Sequence, residues 1–200
     1  MLFVSIEGID GSGKSTLARN LKKKLLELGK PVFLTREPTD RFFITESEQK
    51  NRSAENAVEL FFRFTTDRLH HQNNINSELE HGRIVISDRY VHSSYAYQGP
   101  LMESLLGGID TTLEWMMDVS KIIRRMPDLI LFLDLDPENI VNRIARRREK
   151  SGFEEPGYLK MVRGYYHKMI DSNWVVIDST LPVEKVTAVA VEAIIGKPGA

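Results

Sequence analysis

The 200-residue sequence contains no cysteine. That excludes a disulfide framework, a cysteine nucleophile and cysteine-ligated zinc or iron–sulfur sites. No apolar run approaches the ~18 residues of a membrane span, and no charged amino-terminal stretch leads into a signal-type core. The expectation is therefore a cytoplasmic globular protein with no membrane partner. An excess of charge of one sign is missing too, since 27 Lys and Arg face 28 Asp and Glu for a net charge of -1. A general nucleic-acid binder usually carries a strong basic excess, so nucleic acid is not an expected partner. A local basic patch stays open. Repeats, low-complexity segments and linkers are also lacking. What is present is core: 42% of residues are apolar, enough to hold a fold without disulfides or metals. At roughly 100–200 residues per domain, the chain reads as one domain over residues 1–200.

Five short apolar, β-branched segments read as strands: residues 2–6, 31–35, 83–87, 128–134 and 174–178. Helical spacing lies between them. Leu17, Leu21, Leu25 and Leu28 form one stripe, stopped by Gly29 and Pro31. A long helix is expected over residues 53–79, two more flank Gly107–Gly108, another starts at Pro137, and the last runs from 182 to 195. Residues 150–157 are polar and glycine-containing, so they read as a loop. Strands alternating with helices predict an α/β fold, a five-stranded parallel sheet flanked by helices. In such sheets ligands bind beyond the carboxyl ends of the strands, which is where functional residues should fall.

The first such position carries Gly8-Ile9-Asp10-Gly11-Ser12-Gly13-Lys14-Ser15-Thr16, which fits G-x-x-x-x-G-K-[ST] between a strand and a helix. Glycines let the chain curl so that backbone N–H groups face phosphate oxygens, and the helix adds its positive end. Lys14 would reach the β- and γ-phosphates and Ser15 would bind Mg²⁺. This is a P-loop, the mark of an NTPase fold, but it serves ATPases, switches, motors and kinases alike.

Three arginines separate these classes. Arg36 and Arg89 each follow a strand, where a planar guanidinium fork suits an anionic ligand better than bulk solvent. Arg68 lies on the long helix, four residues from Phe64 and so on its face. Phe64 could stack on a nucleobase with Arg68 on the base edge; spacing alone assigns Phe64 to the core with Phe61 and Phe62. Asp88 is the preferred acidic partner for Mg²⁺ because Arg89 sits beside it, and Asp134 is its rival. Arg143, Arg146, Arg147, Arg148 and Lys150 crowd one helix end. They read either as solvated charges on the helix dipole or as a lid that closes over the transferring phosphate.

Taken together, these segments resemble the thymidylate kinases, P-loop nucleoside monophosphate kinases that transfer the γ-phosphate of ATP to dTMP in dTTP synthesis. The resemblance rests on Phe3–Thr16, Thr35-Arg36-Glu37-Pro38, Phe64–Arg68, Asp88-Arg89-Tyr90 with Ser93–Gly99, and Leu133–Glu138, and it spans roughly residues 2–195. It implies that Lys14 and Ser15 hold ATP phosphates and Mg²⁺, with Asp88 near the metal. It implies that Asp10 contacts the acceptor 3′-hydroxyl, and that Arg36 and Arg89 hold the acceptor phosphate. Phe64 would stack on thymine and Arg68 would bond its O4. Ser94 would face the base, Tyr97 the sugar, and Gln98 the same pocket. Gly11 stands where one variant of the family has an arginine, which implies catalytic lid arginines among Arg146, Arg147 and Arg148 within a lid of about 146–157. Arg143 would pack near adenine. The resemblance also implies a homodimer. Two departures stand out: the run Lys150–Glu155 lacks the arginine that relatives often carry there, and residues 42–51 lack a glycine-rich segment.

Two other readings compete. A deoxynucleoside kinase would need a general base such as Glu37, and a different monophosphate would need a different base edge. A nucleotide-dependent switch would need base-recognition motifs that are missing.

Overall fold

The five apolar segments pair into one parallel sheet in the order β2-β3-β1-β4-β5. The structure, a computed structural model, describes residues 1–41, 44–139 and 155–199. The strands are β1 (Phe3–Glu7), β2 (Val32–Arg36), β3 (Ile84–Asp88), β4 (Leu129–Asp134) and β5 (Trp174–Asp178). The helices are α1 (Lys14–Glu27), α2 (Glu46–Lys50), α3 (Ala54–Glu80), α4 (Val91–Leu106), α5 (Ile109–Val119), α6 (Pro156–Met169) and α7 (Val183–Ile195). Among the described residues no helix is long and apolar enough to cross a membrane.

Both sheet faces are covered, which explains why β1 and β4 read as mostly apolar runs rather than alternating ones. On one face Val4, Ile6, Ile86 and Leu131 pack against Leu17, Leu21 and Leu25 of α1 and Ile194 of α7. On the other, Phe3, Val85 and Phe132 pack with Phe61, Tyr90, Tyr166 and Trp174. Alternate residues of a strand point to opposite faces, so Phe3 and Val4 serve different cores.

The strands run slightly further than their apolar residues suggest. Parallel pairing aligns Arg36 with Asp88, Ile6 with Asp88, and Asp134 with Asp178. Backbone hydrogen bonding ignores side-chain polarity, so the ladder continues past the hydrophobic run. Glu7, Arg36, Asp88 and Asp134 thus end their strands at one edge of the sheet.

Three further differences have local causes. Helix α2 lies in a segment for which spacing predicts no element; Thr45 and Glu48 form a reciprocal capping box there. Residues 156 and 157 of the expected loop begin α6, with Pro156 in its first turn, where a missing N–H costs nothing. Phe62, grouped with Phe61 as core, is 47% exposed while Phe61 is fully buried. Adjacent helical residues point about 100° apart, so only one of the pair can face the sheet. Where α4 crosses α6, a Cβ on Gly99 would collide with the Tyr165 ring. That close approach brings α6 against the site.

Candidate active site

Gly11 and Gly13 adopt φ of 80° and 101°, in the left-handed region that favours glycine. The loop they shape curls around Lys14, whose Nζ donates to the carbonyls of Gly8 at 3.0 Å and Ile9 at 2.9 Å. Ser179, just after β5, donates to the Ser12 carbonyl at 2.5 Å and ties the loop to the sheet. Burial and the Arg89 charge push the Lys14 ammonium down to about 8, against the pull of Asp10, Asp88 and Glu7. At the start of α1, Ser15 Oγ donates to Asp88 Oδ2 at 2.5 Å. A hydroxyl and a carboxylate side by side at a phosphate loop are hard oxygen donors suited to Mg²⁺, which normally also keeps water and substrate phosphate oxygens. Asp134, the rival, is engaged by Arg163 at 2.6 and 3.0 Å and by His167 at 3.2 Å.

Arg89 stands between this loop and a neighbouring pocket. Its φ is 74°, the only positive value at a non-glycine residue among the described residues. That costs about 1 kcal/mol. The conformation is held by the Arg89 N–H to the Ile6 carbonyl at 3.0 Å and by the Ser87 hydroxyl to the Arg89 carbonyl at 2.6 Å. The guanidinium donates to Asp10, to Ser93 Oγ at 3.0 Å and to the Tyr97 hydroxyl at 3.3 Å. Burial raises the Asp10 carboxyl, but Arg89 and then Lys14 outweigh it and hold it below the usual range.

The pocket has a volume of about 230 Å³ and opens beside Asp10 and Arg89. Phe64, Arg68, Ser94, Tyr97 and Gln98 all line it. Arg68 is 2% exposed, so its charge requires a partner. Glu37 supplies it: Arg68 Nε and Nη2 both lie 2.7 Å from Oε2. The other carboxylate oxygen, Oε1, is 2.9 Å from His71 Nδ1, and His71 Nε2 is 2.8 Å from the Thr35 hydroxyl. Arg68 Nη2 also donates to Ser94 Oγ at 3.1 Å. Two polar atoms of the pocket residues remain buried without a partner among the described residues, Arg68 Nη1 and Gln98 Oε1. An orphaned donor and acceptor on the lining of one pocket are matched by a ligand carrying a carbonyl and an N–H.

Arg36 is placed elsewhere. It is exposed, pairs with Asp40 at 2.8 Å, and lines an adjacent cleft of about 610 Å³ with Ser15 and Asp88. Arg143, Arg146, Arg147 and Arg148 lie outside the described residues. Spacing missed several groups that the fold brings in. Arg52 and Tyr158 line the pocket from segments about a hundred residues apart, and only tertiary contact reveals them. Asp67 accepts from the Thr39 backbone N–H at 2.7 Å and fixes the turn after Pro38. Its position beside Arg68 in the quoted motif was the available signal.

Glu7 is the least expected of these groups. It is fully buried behind Arg89, accepting from Tyr90 N–H at 2.8 Å, Ser93 Oγ at 2.6 Å and the Tyr166 hydroxyl at 3.2 Å. Burial raises its carboxyl from 4.5 to about 7 despite those hydrogen bonds and the Arg89 charge. The folded state therefore keeps a proton that the unfolded chain sheds between pH 4.5 and 7. That contribution is complete below 4.5 and is lost as pH rises through 7. Neighbouring His92, pushed by burial from 6.5 to about 3, acts in the opposite sense and is lost as pH falls. A Glu7→Gln variant isolates the carboxyl. Its stability relative to the parent should rise by up to about 3 kcal/mol between pH 5 and pH 8, read by denaturant titration. A difference that does not change with pH would contradict a raised carboxyl.

Comparisons with known proteins agree with this geometry. The family model for thymidylate kinase matches residues 6–189. A probable thymidylate kinase of Picrophilus torridus is 46% identical over 169 residues, covering 82% of this chain and 79% of that protein. One from Thermoplasma acidophilum is 42% identical over 166 residues, covering 82% of each. One from Methanosarcina barkeri is 38% identical over 199 residues, covering 96% of this chain and 95% of that protein.

Proposed function

This chain belongs to the thymidylate kinase family, and from that premise we infer that it transfers the γ-phosphoryl group of ATP to the phosphate of dTMP, giving ADP and dTDP. The observation that carries the reading is Arg89: one cation touches Asp10 of the phosphate loop and lines the pocket that holds Phe64 and Arg68. A group in that position can hold an acceptor phosphate next to the donor. Phe64 and Arg68 then take the thymine ring and its O4, with Ser94 and Gln98 on the same base and Tyr97 against the sugar.

Phosphoryl transfer needs positioning and charge neutralisation more than covalent help. The phosphate-loop backbone, including Gly8, Gly11, Ser12, Gly13 and Thr16, cradles the triphosphate. Lys14 leaves the carbonyls of its own loop for the β- and γ-phosphates. Mg²⁺, held by Ser15 and Asp88, would neutralise charge on those phosphates. Arg36, on the cleft beside Asp88, is assigned to the acceptor phosphate from the outside. Arg146, Arg147 and Arg148 are assigned to the transferring group and Arg143 to adenine. An acceptor phosphate is already ionised, so no general base is required. The engagement of Glu37 by Arg68 and His71 supports this reading over a nucleoside acceptor, because both its oxygens are occupied. We place the reaction in the cytoplasm and the chain in a homodimer on the family alone; light scattering checks the latter.

An acceptor panel tests the reading. With ATP and Mg²⁺, ADP release should be fast with dTMP, slower with dUMP, and at least about 100-fold less efficient with dCMP or AMP, whose bases present an amino group to Arg68. Rapid turnover with thymidine and little with dTMP would overturn it.

A further inference from the structure

Arg52 lies in the short connection between α2 and α3, and no motif draws attention to it. The chain on either side of it is nevertheless pinned. The Ser53 N–H donates to Asn51 Oδ1 at 2.9 Å, and the Asn56 N–H donates to Ser53 Oγ at 3.1 Å. The Asn56 side chain donates to the carbonyls of Asn51 at 3.0 Å and Glu48 at 2.8 Å. From that fixed turn the Arg52 guanidinium reaches a point 4.2 Å from the ring centroid of Tyr158, the third residue of α6.

The contact continues across the pocket. The Tyr158 hydroxyl donates to the Tyr97 backbone carbonyl, and the two rings meet edge-on with centroids 6.3 Å apart. Tyr97 also meets a second cation, the Arg89 guanidinium, 4.8 Å from its ring centroid. Arg52, Tyr158, Tyr97 and Arg89 therefore form a cation–ring–ring–cation column, and all four line the same pocket. Tyr97 and Tyr158 lie on α4 and α6, and Arg52 and Arg89 in the connections that precede α3 and α4. A cation over a ring face and rings meeting edge-on are both favourable, so each member orders the next.

We propose that Arg52 is a positioning residue of the acceptor site, capping this column so that Tyr97 stands fixed as the wall against the acceptor sugar. This rests on the assignment of the pocket to a deoxynucleoside monophosphate. Arg52 acts through Tyr158 and Tyr97 rather than on the reacting phosphates, so its loss falls on acceptor affinity and on sugar discrimination. Arg52→Met keeps length and bulk while removing the cation. From the usual strength of a cation–ring contact, it should raise KM for dTMP roughly three- to thirty-fold. KM for ATP should stay within about two-fold, and kcat should change less than KM. Discrimination between dTMP and its 2′-hydroxy counterpart should narrow by a similar factor. Arg52→Lys, which restores a cation, should recover most of the loss.

A double-mutant cycle with Tyr158→Leu separates a column from two independent contacts. In a column the second substitution adds little to the first, so the effects on KM are strongly non-additive. Additive effects, or losses shared equally between dTMP and ATP, would overturn the proposal while leaving the kinase reading intact. If the parent protein does not turn over dTMP, the kinase reading fails first. The same cycle read by denaturant stability then still measures whether Arg52 and Tyr158 are coupled, and an uncoupled pair overturns the column.

Discussion

Arg89→Ala should lower kcat/KM for dTMP by about 10²–10³-fold, the order lost when a charged donor to a phosphoryl-transfer site is removed. ATP affinity should change by less than about three-fold, because Lys14 and the loop backbone remain. The asymmetry follows from geometry. Arg89 lines the acceptor pocket, and among the described residues its side-chain hydrogen bond to the phosphate loop goes to Asp10. The substitution introduces no new backbone strain, since alanine and arginine are equally disfavoured at a φ of 74°. It does leave Asp10 without its main cationic partner, so the Asp10 carboxyl should titrate higher in the variant. Steady-state kinetics with each substrate varied, together with ATP titration by calorimetry, read both effects. Equal losses for the two nucleotides would remove Arg89 from the acceptor site.

Lys14→Met should lower kcat by about 10³-fold or more while the protein stays folded. The ammonium is buried against two loop carbonyls in the free protein. Methionine keeps the stem without the charge. A pH signature accompanies this. Burial and Arg89 hold the Lys14 ammonium at about 8 in the free protein, so its charge fades as pH rises through that value. kcat/KM for ATP, which reports the free enzyme, should therefore decline above about pH 8. kcat should hold to higher pH, because the bound triphosphate adds negative charge and draws the ammonium back up. A kcat/KM profile flat to pH 10 would contradict the lowered value.

Much of the fold was legible because its signals are local. Five apolar runs, the glycine-rich loop and the leucine stripe of α1 each fit within a dozen residues. The strand ends were not, since Glu7 and Asp88 belong to β1 and β3 by pairing rather than by polarity. Helix α2 was readable in principle from Thr45 and Glu48, whose spacing is that of a capping box. Phe64 shows where spacing fails. On the helix it looks like Phe61, yet it lines the pocket while Phe61 is buried. The resemblance to known kinases separated the two where periodicity could not. Arg52 and Tyr158 were beyond sequence reasoning altogether, because about a hundred residues lie between them and neither sits in a motif. The same holds for the double engagement of Glu37, which joins β2, α3 and α4 through Arg68, His71 and Ser94.

The central claim is that this site moves a phosphoryl group onto a phosphate rather than onto a hydroxyl. Phosphorus NMR of a mixture of the protein, Mg²⁺, ATP and either dTMP or thymidine reads that directly. With dTMP, the paired α and β resonances of dTDP should grow in step with those of ADP. With thymidine, no phosphate monoester should form on the same timescale. A monoester signal from thymidine, with dTMP left unchanged, would contradict the assignment of Arg89 and the pocket to an acceptor phosphate.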